Sequence, residues 1–564
     1  MNRNKFWTAE FIFYKIGQHS FLIALAFIFS FPFVWMIATS AKVDREMFTE
    51  SRTLFPKAPQ PRMQSPYIDE TTFAAPELPE DMPEQQFAPL KKSLTVAIQA
   101  RLAGMSLPVV SNMQTDAEHE LVDGLWKRVF ALTPYAMITN TTVAPERIVD
   151  AILTPKEIAT TLKGCYRRFS IRFSRVRDQD MQIHNLVLTE PITSQWHSLQ
   201  PADVFLSGHI ENELPFADVH YSFAHTNEFS LQAQFELPFA ASNLLQYTLA
   251  YRPDDSWHRM FVTVEGGGRV MHSIEPVYLF DYNWSAAIWQ HPSPQDQEIK
   301  IQRWIVMDYS AEGAEYDFGP NTIRVTLTIR ESSKWQAWQG KLWRNYRAAF
   351  KYIPFWRYVG TSAFLVILNI IGTLFASSFV AYSFARLRWP GREICFMALL
   401  ATLMVPPQVT MIPGFIIMRW FGWYNTLQPL WVFSFFGNAF FIFLLRQFMK
   451  GIPNDLEDAA RIDGCGFLRI YWNVILPLIK PSLAAIAIFT FMGVWNDFMG
   501  PLIMLNDHRL YPLSLGLFSL NVQAGGNLGM MMASSFLMTL PVIIIFFFAQ
   551  KYFIQGVTLT GMKG

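Results

Sequence analysis

Six apolar runs, each long enough to cross a lipid bilayer as a helix, constrain the fold of this chain more than any other feature. They lie at residues 21–41, 358–385, 394–418, 428–448, 480–504 and 530–553. A span needs about 20 apolar residues, and inside lipid every backbone polar group must be bonded within the protein. We therefore predict a multi-span α-helical membrane protein with six transmembrane helices.

The first run has the features of a membrane anchor. Arg3, Lys5 and Lys15 precede it, as basic residues precede signal peptides and anchors alike. However, residues 38–41 form only a weak cleavage site, and the run is long enough for a full span. We interpret it as a retained signal anchor, and a cleaved signal peptide is the alternative.

Positive charge indicates the orientation, because loops rich in Lys and Arg stay in the cytoplasm. Such residues cluster at both termini and in two loops: Arg3, Lys5, Lys15, Arg386, Arg388, Arg392, Arg446, Lys450, Arg461, Arg469, Lys551 and Lys563. Both termini are therefore expected in the cytoplasm. Residues 42–357 are expected on the extracytoplasmic side.

The sequence pattern divides the chain before the later spans into three parts. Residues 1–56 hold the N-terminal tail and the first span. Residues 57–165 are expected to form an irregular linker, up to about residue 88, followed by a small helical part. From 166 to 341 the apolar period changes to two, as in Phe229 to Leu237 and Ile323 to Ile329. Many short strands of this kind favour an inserted β-rich domain, which we expect to be a β-sandwich.

Several functions are excluded or left without support. A net charge of +1 gives no basic surface for nucleic acid, and three dispersed cysteines give no disulfide framework or CxxC metal pair. The histidines show no metal-ligand spacing, and no nucleophile motif stands out. No G-x-x-x-x-G-K-[ST] sequence occurs, so ATP hydrolysis would have to come from another chain. We predict no catalytic residue, metal or bound cofactor in this chain.

The loop between the fourth and fifth runs, residues 453–477, contains the most specific motif. Pro453 suits the first turn of a helix, and acidic residues at 455, 457 and 458 suit its positively polarised end. Gly464 can end that helix, and a second short helix can follow. This spacing resembles the EAA loop of bacterial ABC-importer permeases: E-A-A, three residues, G, nine residues, then I-x-L-P.

The matching positions, with Glu457 as a second candidate for the acidic one, are Glu457, Asp458, Ala459, Ala460, Gly464, Val474, Leu476 and Pro477. Asp458 replaces the family's Glu, and Val474 replaces its Ile. The resemblance implies that these residues couple the chain to an ATPase. The other interpretation is an ordinary interfacial helix pair.

Further motifs resemble the smaller, second permease of maltose-type sugar importers over residues 15–56 and 342–564. They include Pro32–Met36, Asn345-Tyr346, Val405–Pro407 and Trp495–Phe498. The resemblance implies a type I permease fold in the bacterial inner membrane and a core at 342–564. It also implies a heterodimer with a second permease, two ATPase subunits that bind ATP and Mg²⁺, and an extracytoplasmic substrate-binding protein.

Seven polar or helix-breaking residues within the later spans are candidates for the substrate path. They are Asn369, Pro406, Pro407, Asn438, Trp495, Asn496 and Asp497. Broken helices and intramembrane polar groups often line transport paths. Helix packing, a simple kink and interfacial exposure are the alternatives.

A different class of function is a membrane-anchored extracytoplasmic enzyme or sensor with the β-rich domain as its active part. The motif at 453–477 argues against it, because an anchor needs no coupling loop. Within the transporter interpretation, the insertion has three possible roles: docking or replacing a binding protein, binding glycan, or contacting the second permease.

Overall fold

The computed structural model describes residues 9–48, 53–73, 75–78, 82–109, 113–134, 137, 144–186, 191–292, 304–312, 318–523 and 527–557. The described residues form two compact units. The first lies within Met1–Lys57 and Lys341–Gly564, and the second within Ala58–Pro294 and Arg303–Gly340. The orientation charges Arg3, Lys5 and Lys563 lie outside the described residues.

The α-helices in chain order are α1 Ala9–Ser40, α2 Asp44–Phe48, α3 Glu84–Leu102, α4 Gln114–Leu132, α5 Pro145–Ile152, α6 Pro155–Cys165, α7 Ile192–Gln195, α8 Lys334–Tyr352, α9 Phe355–Arg386, α10 Arg392–Ala401, α11 Pro407–Trp420, α12 Ala439–Lys450, α13 Asp455–Ile462, α14 Phe467–Ile470, α15 Leu476–Leu478, α16 Lys480–Trp495, α17 Met499–Met504, α18 Leu513–Gln523 and α19 Leu528–Val557. The strands are β1 Gln64–Ser65, β2 Tyr67–Ile68, β3 Tyr166–Arg167, β4 Phe169–Asp178, β5 Ile183–Asn185, β6 Trp196–Ser198, β7 Val204–Glu211, β8 Leu214–Ser222, β9 Glu228–Glu236, β10 Leu244–Arg252, β11 Arg259–Gly266, β12 Arg269–Ser273, β13 Val277–Tyr278, β14 Ser285–Gln290, β15 Ile305–Glu312 and β16 Thr322–Arg330.

The first unit contains the candidate membrane spans. Among described residues four segments are long and apolar enough: Lys15–Ser40, Phe355–Arg386, Val432–Lys450 and Leu528–Gln550. Two further pairs are bent, by 99° between Met404 and Pro407 and by 76° between Leu478 and Lys480. The described spans therefore number four, or six if each bent pair is one span, and six continuous helices are not confirmed. Pro406 and Pro407 explain the first bend, because neither has an N–H to continue the helical ladder.

Helix α9 is the central element of this unit. Its 32 residues extend about 48 Å, well beyond the roughly 30 Å of a bilayer core. One end belongs to a buried cluster around Tyr358 and Val366, and the other to a second cluster around Ala381 and Tyr382. At Gly372 a Cβ atom would lie 2.3 Å from Ser434 Oγ, so only glycine permits that close approach. Helix α9 therefore contributes side chains to both clusters.

The second unit has a small helical part and a β-rich part. The expected small helical part is confirmed, and in α4 Leu121, Leu125 and Val129 are fully buried. The expectation of an irregular linker at 57–88 is partly wrong. Strands β1 and β2 form there, pairing with β8 and β3, and α3 begins at Glu84. Two-residue strands leave no alternation to detect in a Pro-rich sequence.

The strands predicted from alternation are confirmed. Strand β9 pairs antiparallel with β16, and inward residues such as Leu231 and Leu327 are directly opposite each other. The β-sandwich is not confirmed, because fourteen of the sixteen described strands form one sheet that curls as a half-barrel, and β2 and β3 form a separate pair. Two antiparallel parts are joined by β14 and β15, a parallel pairing of only two residue pairs. Side chains from both parts share one buried core.

His258 joins the two ends of the second unit. Its Nε2–H donates to Arg62 O at 2.7 Å, and its Nδ1 accepts from the Ser332 N–H at 3.1 Å. This arrangement requires the neutral ring, and burial lowers the pKa of His258, partly offset by Asp254. Because the folded pKa lies below the unfolded value of about 6.5, the stabilisation is present at neutral pH and is lost as pH falls through the folded pKa.

We therefore expect the second unit to lose stability between about pH 7 and pH 5, by at most about 2 kcal/mol, the limit that one titrating group with an unfolded pKa of about 6.5 sets over this range. Limited proteolysis of the full chain in nanodiscs across this range measures the loss. His225, which lies exposed against Asp203 Oδ1 at 2.9 Å, provides the control: H225Q should show the same pH profile as the native chain. A flat profile in the native chain would contradict the assignment.

Candidate functional site

The loop at 453–477 folds as a short helix ended by a glycine. Helix α13 begins at Asp455, so Pro453 precedes the capping residue Asn454 and does not occupy the first turn as predicted. At its other end Cys465 N–H donates to Ala460 O at 2.9 Å, and Gly464 N–H donates to Arg461 O at 2.9 Å. This pair of bonds is a Schellman motif, which places Gly464 in the left-handed region at φ +81°. The glycine thus fixes the direction in which the chain leaves α13.

The two adjacent acidic residues have opposite environments. The Glu457 side chain is only 4% exposed, and its carboxylate lies 3.1 Å from Arg386 Nε and 3.6 Å from Arg461. The Asp458 side chain is 61% exposed and contacts only the neighbouring Arg461, at 3.2 Å, among the bonds found. Glu457 therefore anchors α13 inwards, and Asp458 points outwards.

Helix α13 presents apolar side chains to the exterior. Ile462 is 87% exposed, and Leu456 and Ala459 are exposed on the same short helix. Phe467 and Leu468, just after the turn, are exposed as well. We call these five residues the α13 face. Such grouping of apolar residues beside charged ones is typical of a protein interaction site.

The second half of the motif packs against the spans. Val474, Leu476 and Ala460 are half-buried against the cluster around Ala381 and Tyr382, while Pro477 is exposed in α15. Residues 471–475 form a π-helical turn between α14 and α15. Tyr471 Oη lies 2.7 Å from Ser378 Oγ, and Tyr382 Oη donates to Phe467 O at 3.2 Å, so α9 holds this segment directly.

Two arginines that the sequence indicated only as orientation charges make tertiary contacts. Arg386, the last residue of α9, reaches α12, α13 and the linker between them. Arg446 of α12 lies 3.1 Å from Glu393 and stacks over Phe396 at 3.9 Å. A positive charge near the end of a span was the only signal in the sequence, and it does not distinguish a contact from a topogenic charge.

The substrate-path candidates are dispersed along the spans. Asn369 Nδ2 donates to Leu365 O and Leu430 O, at 2.8 and 3.0 Å. Asn438 caps α12 by accepting from the Phe440 and Phe441 N–H groups. These two side chains have packing or capping partners.

The remaining candidates lie at two breaks in the helices. Pro406 and Pro407 are exposed at the 99° bend. Trp495 is buried and donates to Met538 O at 3.0 Å, whereas Asn496 and Asp497 are exposed after α16. The Gly500 N–H donates to Asp497 Oδ1 at 3.1 Å. Among the described residues, no side-chain hydrogen bond joins any two of the seven.

Trp196, Trp257 and Trp289 of the second unit are buried. No group of three or more metal-ligating side chains is found among the described residues.

Comparison with known proteins places the matched segment on the first unit. The profile of the family "Binding-protein-dependent transport system inner membrane component" matches residues 369–559, which contain the whole motif. The arabinooligosaccharides transport system permease protein AraQ of Halalkalibacterium halodurans is 36% identical over 210 residues, covering 37% of this chain and 75% of that protein. AraQ of Bacillus subtilis is also 36% identical over 210 residues, covering 37% and 74%.

Among solved structures, a bacterial ABC transporter involved in the import of the acidic polysaccharide alginate matches with 28% identity and a TM-score of 0.34. That match covers 37% of this chain and 79% of the other.

Proposed function

The chain belongs to the family of carbohydrate ABC-transporter permeases, multi-pass components of the inner membrane, and from this membership we propose that it couples a separate ATPase to the uptake of a sugar or oligosaccharide. The observation that carries the proposal is the α13 face. The face belongs to a helix that is fixed at both ends. The inner side of this helix is bonded to the spans through Glu457, and its apolar side is exposed. An element built in this way can receive a partner on one side and pass its displacement to the membrane on the other.

The roles within the motif follow from its geometry. Asp458, Ala459 and Ile462 face the ATPase, and the small Ala459 side chain lets the partner approach the helix closely. Glu457 holds the helix to the chain's own Arg386. Gly464 directs the chain into α14, and Ala460, Val474 and Leu476 seat the motif on the inner cluster. Pro477 starts the next helical turn.

Closure of the ATPase on ATP would then move α13 and tilt the spans between inward- and outward-facing states. ATP and Mg²⁺ belong to that ATPase, present in two copies, and this chain contributes no catalytic group. The loop at 453–477 lies in the cytoplasm with both termini, and residues 42–357 lie outside.

Partners and substrate follow from the family. Its description as binding-protein-dependent supports an extracytoplasmic substrate-binding protein, and the second EAA loop comes from a second permease in a heterodimer. AraQ relatives carry arabinooligosaccharides by name, and another relative is named for starch degradation products. We place the sugar path along the broken spans near Pro406, Pro407 and Asp497, with Asn369, Asn438, Trp495 and Asn496 shaping its walls. The inserted second unit docks the binding protein.

Affinity purification of the full chain from its native membrane tests the proposal. We expect an ATPase and a second permease to be recovered in stable proportion, with ATPase activity in the eluate. Ala459→Glu should release the ATPase, because a larger, charged side chain then occupies the space in which the partner approaches the helix at Ala459. Arg388→Ala changes net charge by the same amount at an exposed site in another loop and should retain it. Recovery of the native chain without any ATPase would overturn the proposal.

A further inference from the structure

Arg386 makes an unusual set of contacts for a residue at the end of a span. Its side chain is only 6% exposed although it lies beyond the last apolar turn of α9. One Nη donates to the Asn454 side-chain oxygen, and the other donates to Met449 O and, at 2.5 Å, to Ile452 O. Its Nε lies 3.1 Å from the Glu457 carboxylate.

Three of these partners accept hydrogen bonds, and the fourth, Glu457, is an ion-pair partner. They follow each other along the chain: Met449 is in the last turn of α12, Ile452 is in the linker, Asn454 caps α13, and Glu457 is in the first turn of α13. A single guanidinium therefore joins the end of α9 to the end of α12 and to the start of α13. Its planar fork reaches these partners from three nitrogens, whereas a lysine presents one ammonium nitrogen.

We propose that Arg386 is a positioning residue that transmits displacement of α13 to α9, and through α9 to the extracytoplasmic end of the spans. This inference rests on the proposed function, because it assumes that an ATPase moves α13. It goes further by naming the mechanical link. The contacts of α9 with the segment beyond Gly464, through Tyr382 and Ser378, are single hydrogen bonds. Arg386 instead contacts α13 itself at the Glu457 carboxylate and its capping residue at the Asn454 side chain.

The geometry of α9 makes the link effective. The helix is continuous from Phe355 to Arg386 and takes part in both buried clusters of its unit. Trp356, in its first turn, is exposed at the opposite end. A displacement received at Arg386 is therefore expected to change the surroundings of residue 356.

The test uses the complete transporter complex, purified and placed in nanodiscs. Trp356→Cys carries an environment-sensitive dye, and the accessible Cys395 and Cys465 are replaced by alanine. Mg-ATP with vanadate traps the ATPase in its closed form. We expect trapping to shift the dye emission when Arg386 is present and to leave it unchanged in R386M, with the ATPase still bound and active. Arg388→Met, two residues away and exposed, should behave like the native chain.

A second variant separates transmission from simple charge burial. R386M leaves the Glu457 carboxylate buried without its main partner, whereas R386M/E457Q removes that charge as well. If the double variant still gives no emission shift, the link itself is required. Restoration of the shift in the double variant would overturn the proposal, and so would loss of the ATPase from R386M or absence of a shift in the native complex. A native complex that contains no ATPase would instead refute the proposed function.

Discussion

Replacement of Gly464 by valine is expected to weaken binding of the proposed ATPase partner to this chain by roughly 5- to 150-fold, the ratio that corresponds to about 1–3 kcal/mol. Gly464 has φ +81°, where a β-branched residue is strained. A Cβ atom at this position meets no heavy atom within 4 Å, so the cost comes from the backbone and not from a clash. Relief of the strain rotates the residue out of the left-handed region and breaks the Schellman bonds, which redirects Phe467 and Leu468. The apparent Kd of purified ATPase for the chain in nanodiscs measures the effect.

Gly466 supplies a matched control for this experiment. It lies two residues further along, has φ −73° and ψ 166°, and its Cβ position is equally open. Valine is unstrained there, so G466V should bind the ATPase with native affinity. Equal weakening by both substitutions would mean that added bulk in the turn after α13 matters and that the left-handed conformation does not.

The second large effect concerns the buried ion pair between Glu46 and Lys341. The Lys341 ammonium bonds the Glu46 carboxylate and also donates to Lys57 O at 2.6 Å, and both side chains are almost fully buried. K341M should destabilise the first unit by about 3–5 kcal/mol, because the carboxylate is left buried without its partner. Reversible unfolding of the full chain in mixed detergent micelles measures the loss.

The double variant K341M/E46M tests the physical reason. Removing both charges replaces a buried pair by apolar side chains, which is often close to neutral. We therefore expect most of the stability lost in K341M to return in the double variant. A double variant as unstable as K341M would indicate that the bond to Lys57 O, or packing of the lysine stem, is the larger contribution.

Elements with strong periodicity were predictable from the sequence. Strands β9 and β16 follow their alternation, and α4 follows its apolar face, since burial of one face leaves a repeating trace in the chain. Bends in the spans were partly predictable, because Pro406 and Pro407 in the sequence indicate the bend between α10 and α11. The curling of the sheet into a half-barrel was not, because it depends on a two-residue pairing between β14 and β15.

Part of the candidate site was likewise predictable from the sequence, and part was not. The end of α13 at Gly464 was predictable, since a glycine at that point of a short helix has a local conformational cause. The different environments of Glu457 and Asp458 were not, because they depend on Arg386, 71 residues earlier in the chain than Glu457. The local sequence shows only that both residues are acidic. The tertiary contact with Arg386 determines that the Glu457 side chain points inwards and the Asp458 side chain points outwards.

His258 has a consequence for the ancestry of the second unit. One imidazole bonds both Arg62, near the start of the unit, and Ser332, near its end, so the two chain ends emerge side by side. A guest domain with adjacent ends can enter a loop of a host protein without separating the host's flanking segments. The second unit therefore begins and ends at neighbouring positions, which is the arrangement that lets a large domain occupy the place of a short loop in sequence.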